Sequence, residues 1–387
     1  MADWSKLSMD VLGLIHDKLS IPDCIRLKAA CKSWNLAFKF KHHRPPKLQS
    51  PWLMLPDHND TVAWFFSIAD KKIYKVPCPE PMISLRICIG SCHGWLITVD
   101  DNCNMHLLNP LTGVQIPLPS VTTLPFVKIV QDSQEPISKF MIGEQQRNGV
   151  VVYMVYSIWR MHRFFFHKAV LSMAPDADGS FTIVMIYSVW KRLAFARAGD
   201  EAWTSIQTPH GFHDVIHCND KFYTASYGGT VMAWEPNGLA IVSEIISSDI
   251  DEAYIGCMMY LVESPDDNLM LIARHAGEGP IISHTSLFLV FSLDEQDLQW
   301  KKVKSLHQQT LFLGGNQSMF LPAADFPELK QNCIYFTNNI LEFCGYFHYA
   351  DSDIGVFNME SKKIEPIDHL GRHLNWPPSV WFFPSLS

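Results

Sequence analysis

Long hydrophobic runs are missing from this 387-residue sequence. The most apolar stretch, Gly149 to Trp159, stops at Arg160, well short of the roughly 20 residues a membrane-spanning helix needs. No membrane partner is expected. The opening residues, MADWSKLSMD, lack the basic start and apolar run of a secretory signal, which implies a chain working in the cytoplasm or nucleus. An excess of positive charge is missing too: 31 Lys and Arg stand against 39 Asp and Glu. Non-specific nucleic-acid binding depends on that excess, so no nucleic-acid partner is expected.

The usual signatures of catalysis are absent. There is no nucleophile elbow, phosphate loop or dinucleotide fingerprint, and hence no catalytic residue to name. The ten cysteines form no C-x-x-C pair and no disulfide-scaffold spacing, so they read as packing thiols of a reducing compartment. Asp249 to Glu252 and Asp266-Asp267 read as solvated turns, since nothing apolar is placed to perturb them.

What is present is apolar material, 48% of the residues, against only 18% charged. That is enough for one large core or two unequal ones. The chain divides accordingly. In the first forty residues Val11, Leu12, Ile15 and Leu19 fall on one helical stripe, with Ser8 placed to cap it and Asp10 in its first turn. Pro22 suits the first position of a second helix, for which Ile25, Leu27, Ala30, Cys31 and Trp34 supply the apolar side. A group this small exposes more apolar surface than it can bury, as partner sites do. The segment 42–50, with three prolines up to Pro51, reads as a stiff linker. This gives a helical module over 1–41 and a β domain over 51–387.

The β domain is repetitive. Arg86 to Pro119 divides into RICIGSC, WLITVD, MHLLNP and VQIPLP, and Asp214 to Ile246 into DVIHC, KFYTAS, TVMAWE and LAIVSEI. Turns such as His93-Gly94, Asn219-Asp220 and Gly228-Gly229 suit tight hairpins. Similar units begin at Tyr260 and Ser318, and Lys139 to Ile186 reads as another. Four-stranded meanders recurring at this spacing predict a mainly β fold, a β-propeller-like domain. The expected count is about six blades, with five, seven or a two-sheet sandwich as alternatives, because Leu193 to Ile206 fits either neighbouring unit. The first unit, 51–77, has only three strands, while SVWFFP at Ser379 to Pro384 is left over. A ring must close, so Val380 to Phe383 is expected to complete that first blade.

The N-terminal residues resemble the F-box family. Trp4, Ser5, Leu7, Asp10, Leu12, Ile15, Leu19, Asp23, Arg26, Cys31, Lys32 and Trp34 follow its pattern in order; Ser8, Val11 and Ala30 depart from it. The remainder is similar to the C-terminal domain of a large plant F-box group, through GSCHGWLITVD with NPLTG, GDEAWTSI, FYTASYGGTVMAWE and PPSVWFFPS. The resemblance implies a non-catalytic substrate receptor of a Skp–cullin–F-box ubiquitin ligase. It would bind a Skp-type adaptor, and through it cullin, and would present an unknown protein substrate. No cofactor is implied. Leu7, Ser8, Val11, Leu12, Ile15, Leu19, Ile25, Cys31 and Trp34 are the adaptor-binding candidates. The inserts at His275 to His284 and Asn338 to Asp351 are the first candidates for substrate contact.

A rival reading is a metal-binding enzyme on a propeller scaffold. Its ligands would come from His210, His213, His217 and Cys218, yet on a regular strand His213 and His217 share one face while Cys218 points away. Cys88, Cys92, Cys103, His93 and His106 invite the same thought and lack knuckle spacing. No metal is therefore expected.

Overall fold

In a computed structural model of the protein, the described residues are 7–16, 19, 21, 23, 24, 27, 31–37, 49–56, 61–130, 139–145, 150–175, 180–208, 211–237, 240–245, 257–277, 284–294, 296–337, 353–371 and 376–385. The proline-rich segment 42–48 lies outside them. Among the described residues, Met9–His16 and Lys32–Ala37 are helices, and everything from Trp52 onward is dominated by strands. Short alternating runs of β-branched and aromatic residues, punctuated by turns, give that outcome. His93 and Gly94 both have positive φ, as do Asn219 and Asp220, the geometry that joins strands through two residues.

Among the described residues seven sheets result, and six of them form a ring. Blade 1 comprises Trp52–Leu55, Val62–Ser67 and Lys72–Pro77, with Val380–Phe382 as its inner strand. Trp52 pairs with Phe382 and Met54 with Val380, antiparallel, so the two ends of the β domain share one blade as expected. Blade 2 runs from Ile87–Cys92 to Val114–Pro117, blade 3 from Phe166–Leu171 to Thr204–Ile206, blade 4 from Phe212–Cys218 to Ala240–Ile245, and blade 5 from Met258–Glu263 to Gln299–Val303. Blade 6 has Met319–Pro322 innermost, then Gln309–Leu313, Cys333–Phe336, Gly355–Asn358 and Ile364–Glu365.

The core explains the ring. Among the described residues, buried hydrophobics separate into six clusters, one at each junction between neighbouring blades. A blade is apolar on both faces and can bury them only against its neighbours, so closure is what removes the last exposed face. At the blade 6–blade 1 junction, Phe312 stacks on Tyr335 at 5.0 Å and meets Trp381 edge-on at 5.0 Å.

Three details differ from the sequence reading. The stretch Lys139 to Ile186 is no single unit: its first half joins Val127–Val130 in a three-stranded sheet of Val127–Val130, Lys139–Gln145 and Val151–Tyr156. Its second half opens blade 3, which Leu193 to Ile206 completes. The inner strands of blades 2 and 3 touch directly, and a Cβ on Gly90 would lie 2.1 Å from the Ala169 carbonyl oxygen. The three-stranded sheet therefore sits outside the ring. It packs Val127, Phe140, Ile142 and Tyr156 onto the blade 2–blade 3 junction. Finally, Gln309–Leu313 enters blade 6 parallel to Cys333–Phe336, a pairing that hairpin logic does not anticipate.

Candidate partner-binding surfaces

The first helix begins at Ser8, as expected. The Val11 backbone N–H donates to Ser8 Oγ at 3.4 Å, and Asp10 sits in the first turn where the helix dipole favours a negative charge. Successive residues on a helix are about 100° apart, so the apolar stripe is wide enough to face two ways. Leu12 is turned inward, 2% exposed, whereas Val11 is 41% and Leu14 65% exposed. Leu7, Ile15, Leu19, Cys31 and Trp34 are half-buried, and Ser8 is exposed. Ile25 lies outside the described residues. Sequence reading passed over Leu14, although its spacing of three from Val11 places both on one surface. That spacing was the available signal.

The two inserts proposed for substrate contact lie largely outside the described residues, but their bases meet. Arg274, at the end of a blade 5 strand, donates to Asp353 Oδ2 at 2.8 Å, to the Tyr260 hydroxyl at 2.9 Å and to the Thr337 carbonyl at 2.8 Å. Thr285 donates to the same carboxylate through both its N–H and its hydroxyl, at 2.9 and 2.6 Å. One buried guanidinium thus ties together the roots of inserts distant in sequence, and charge-assisted bonds of this kind are the strong ones.

A second polar group lies among the inner strands. Bulges between Phe166 and Lys168, and between Phe212 and Asp214, occupy matching places in blades 3 and 4. They turn Lys168 and Asp214 into a buried ion pair, and Asp214 also accepts the Leu261 N–H of blade 5 at 2.7 Å. The bulged residues are both histidines. His167 bonds the Ser188 carbonyl at 2.7 Å, and His213 Nδ1 accepts the Met259 N–H at 3.4 Å. Burial, with the Lys191 ammonium nearby, pulls each imidazole down to about 3.

The bulge also breaks the alternation assumed for His213 and His217. His217 packs on Phe222 at 4.7 Å, Cys218 joins the blade 4–blade 5 core, and His210 lies outside the described residues. Cys88 and Cys92 belong to different junction clusters, and burial pushes both thiols up to about 12. Among the described residues, no three His, Cys, Asp or Glu side chains gather as a metal site.

Comparison with known proteins agrees with this architecture. Residues 65–358 match the KIB1-4 beta-propeller family. The chain belongs to that family. Over its full length, it is also similar to plant F-box proteins of Arabidopsis thaliana. F-box protein SKIP23 is 27% identical, aligned over 98% of this chain and 96% of its own length, and F-box protein At2g05970 is 23% identical over 100% and 97%. Among solved structures, YCF48 bound to D1 peptide aligns with a TM-score of 0.28 and 11% identity, over 67% of this chain and 87% of its own, too distant to carry inference. In this KIB1-4 propeller, then, the buried ion pair and the histidines beside it belong to strand junctions, and ten of the nineteen large hydrophobic side chains exposed among the described residues fall in the helical module or between Phe126 and Trp159.

Proposed function

We propose that this KIB1-4 propeller is the substrate-recognition subunit of a Skp–cullin–F-box ubiquitin ligase, working in the cytoplasm or nucleus. The helical module holds a Skp-type adaptor, and the propeller holds a target protein that is then ubiquitinated. The observation that carries the reading is the exposed pair Val11 and Leu14, on a helix that bears F-box residues and keeps Leu12 for its own packing. Apolar side chains left in water at the edge of a small module are what an adaptor interface buries. The chain itself contributes no chemistry in this role: it brings target and transfer machinery together.

The test is co-purification with a Skp-type adaptor. Val11→Asp with Leu14→Asp should weaken adaptor binding by about a hundredfold or more, since each charge enters an apolar interface. The melting of the β domain should stay unchanged. Adaptor binding equal to wild type would sink the reading.

A further inference from the structure

We infer that the sheet inserted between blades 2 and 3 is a docking surface for an extended segment of the target protein, one that alternates apolar and acidic residues. The inference rests on the ligase reading above and assigns the target's contact to a surface outside the ring.

The ring does not need this sheet, because blades 2 and 3 already touch through their inner strands. One face of the sheet packs Val127, Phe140, Ile142 and Tyr156 onto that junction. The other faces solvent, and register defines it: Val155, Met141 and Lys128 lie side by side, as do Tyr153 and Gly143, whose N–H donates to the Phe126 carbonyl at 2.9 Å; Lys139 lies opposite Val130. Eight of the nineteen large hydrophobic side chains exposed among the described residues fall between Phe126 and Trp159, and Phe126, Val130, Tyr153 and Val155 belong to this solvent face. Gly143 makes the patch continuous. A Cβ there would meet Tyr153 at 2.7 Å, Val151 at 2.8 Å and Phe126 at 2.9 Å, so three side chains converge over the glycine. Soluble proteins seldom leave such a patch uncovered without a partner for it.

Two observations select the occupant. First, among the described residues Val151–Tyr156 and Val127–Val130 are the two edge strands of a three-stranded sheet, and an exposed edge accepts an extended segment by main-chain pairing. Second, the Lys128 ammonium reaches across this face, 5.7 Å from the Tyr153 ring centre. A strand laid along Val151–Tyr156 would place alternate apolar side chains on Tyr153 and Val155 and a carboxylate within reach of Lys128. A basic segment would be repelled.

The probe is a phage library of random dodecapeptides, selected on the full-length protein bound to its adaptor. The expected result is a consensus of alternating apolar and acidic residues. A synthetic peptide of that consensus should bind in the micromolar range and protect the amides of Val151–Tyr156 from hydrogen exchange. Val155→Glu should weaken it about tenfold or more, as should Lys128→Glu. A peptide with Lys in place of its acids should recover binding to Lys128→Glu. No consensus, or binding indifferent to both variants, overturns the inference. So does sedimentation showing that a second copy covers the face, with Val155→Glu returning the protein to monomer. Adaptor binding is measured on the same samples. If the adaptor binds and no peptide does, this inference fails alone; if the wild type binds no adaptor, the ligase reading fails instead.

Discussion

Trp381 donates its indole N–H to the Leu313 carbonyl at 3.1 Å while its strand pairs with that of Trp52, so one side chain joins the last blade to the first. Its backbone N–H donates to Asn316 Oδ1 at 3.3 Å as well. The side chain is wholly buried. Trp381→Ala should therefore cost about 3–5 kcal/mol, the usual penalty for emptying a large aromatic site. Removing residues 379–387 should cost more, because the inner edge of blade 1 loses its partner. Thermal melting of the full chain is the measurement, and unchanged melting of the truncated protein would contradict closure by this strand.

Gly90 tests the direct contact of blades 2 and 3. The obstacle to a side chain there is the Ala169 backbone, which cannot rotate away. Gly90→Ala should lower stability by about 2 kcal/mol or more, as overpacking against fixed atoms does. Urea unfolding should show it, and a neutral result would separate the two blades.

The Lys168–Asp214 pair predicts asymmetric mutational costs. Asp214→Ala strands an ammonium in the core and should cost about 3–5 kcal/mol. Replacing both residues together, by Met and Leu, should cost far less, since the uncompensated charge disappears with its partner. Equal losses in the single and double variants would show that the pair is not the source.

Acid should destabilise the fold through His167 and His213. Both are held near 3, against an ordinary value of 6.5. Between those values the unfolded chain binds protons that the folded chain does not. Stability therefore falls as pH drops from about 6.5 toward 3, by up to about 1.4 kcal/mol per pH unit for each histidine. His213→Gln should flatten the decline of melting temperature with pH in that window. A slope unchanged in the variant would assign the acid sensitivity elsewhere.

The sequence by itself determined what depends on near neighbours. Alternating runs and turn pairs such as His93-Gly94 specified the hairpins, the three-strand count over 51–77 beside the spare SVWFFP specified ring closure, and Ser8 specified where the first helix starts. The residues in F-box order fall in that same helical module. The tertiary structure decided whatever depends on which blade lies alongside. That Lys168 meets Asp214 follows from bulges in neighbouring inner strands, which no periodicity within either strand contains. That Val127–Tyr156 stands outside the ring follows from the close approach of Gly90 to Ala169, nearly eighty residues apart. Leu12 and Leu14, two residues apart, stand about 160° apart on the helix, so one of them must face out when the other faces in; that Leu12 is the inward one depends on what packs against the helix. Local pattern sets the backbone conformation of each segment. Burial is decided by the surfaces that the rest of the chain brings against it.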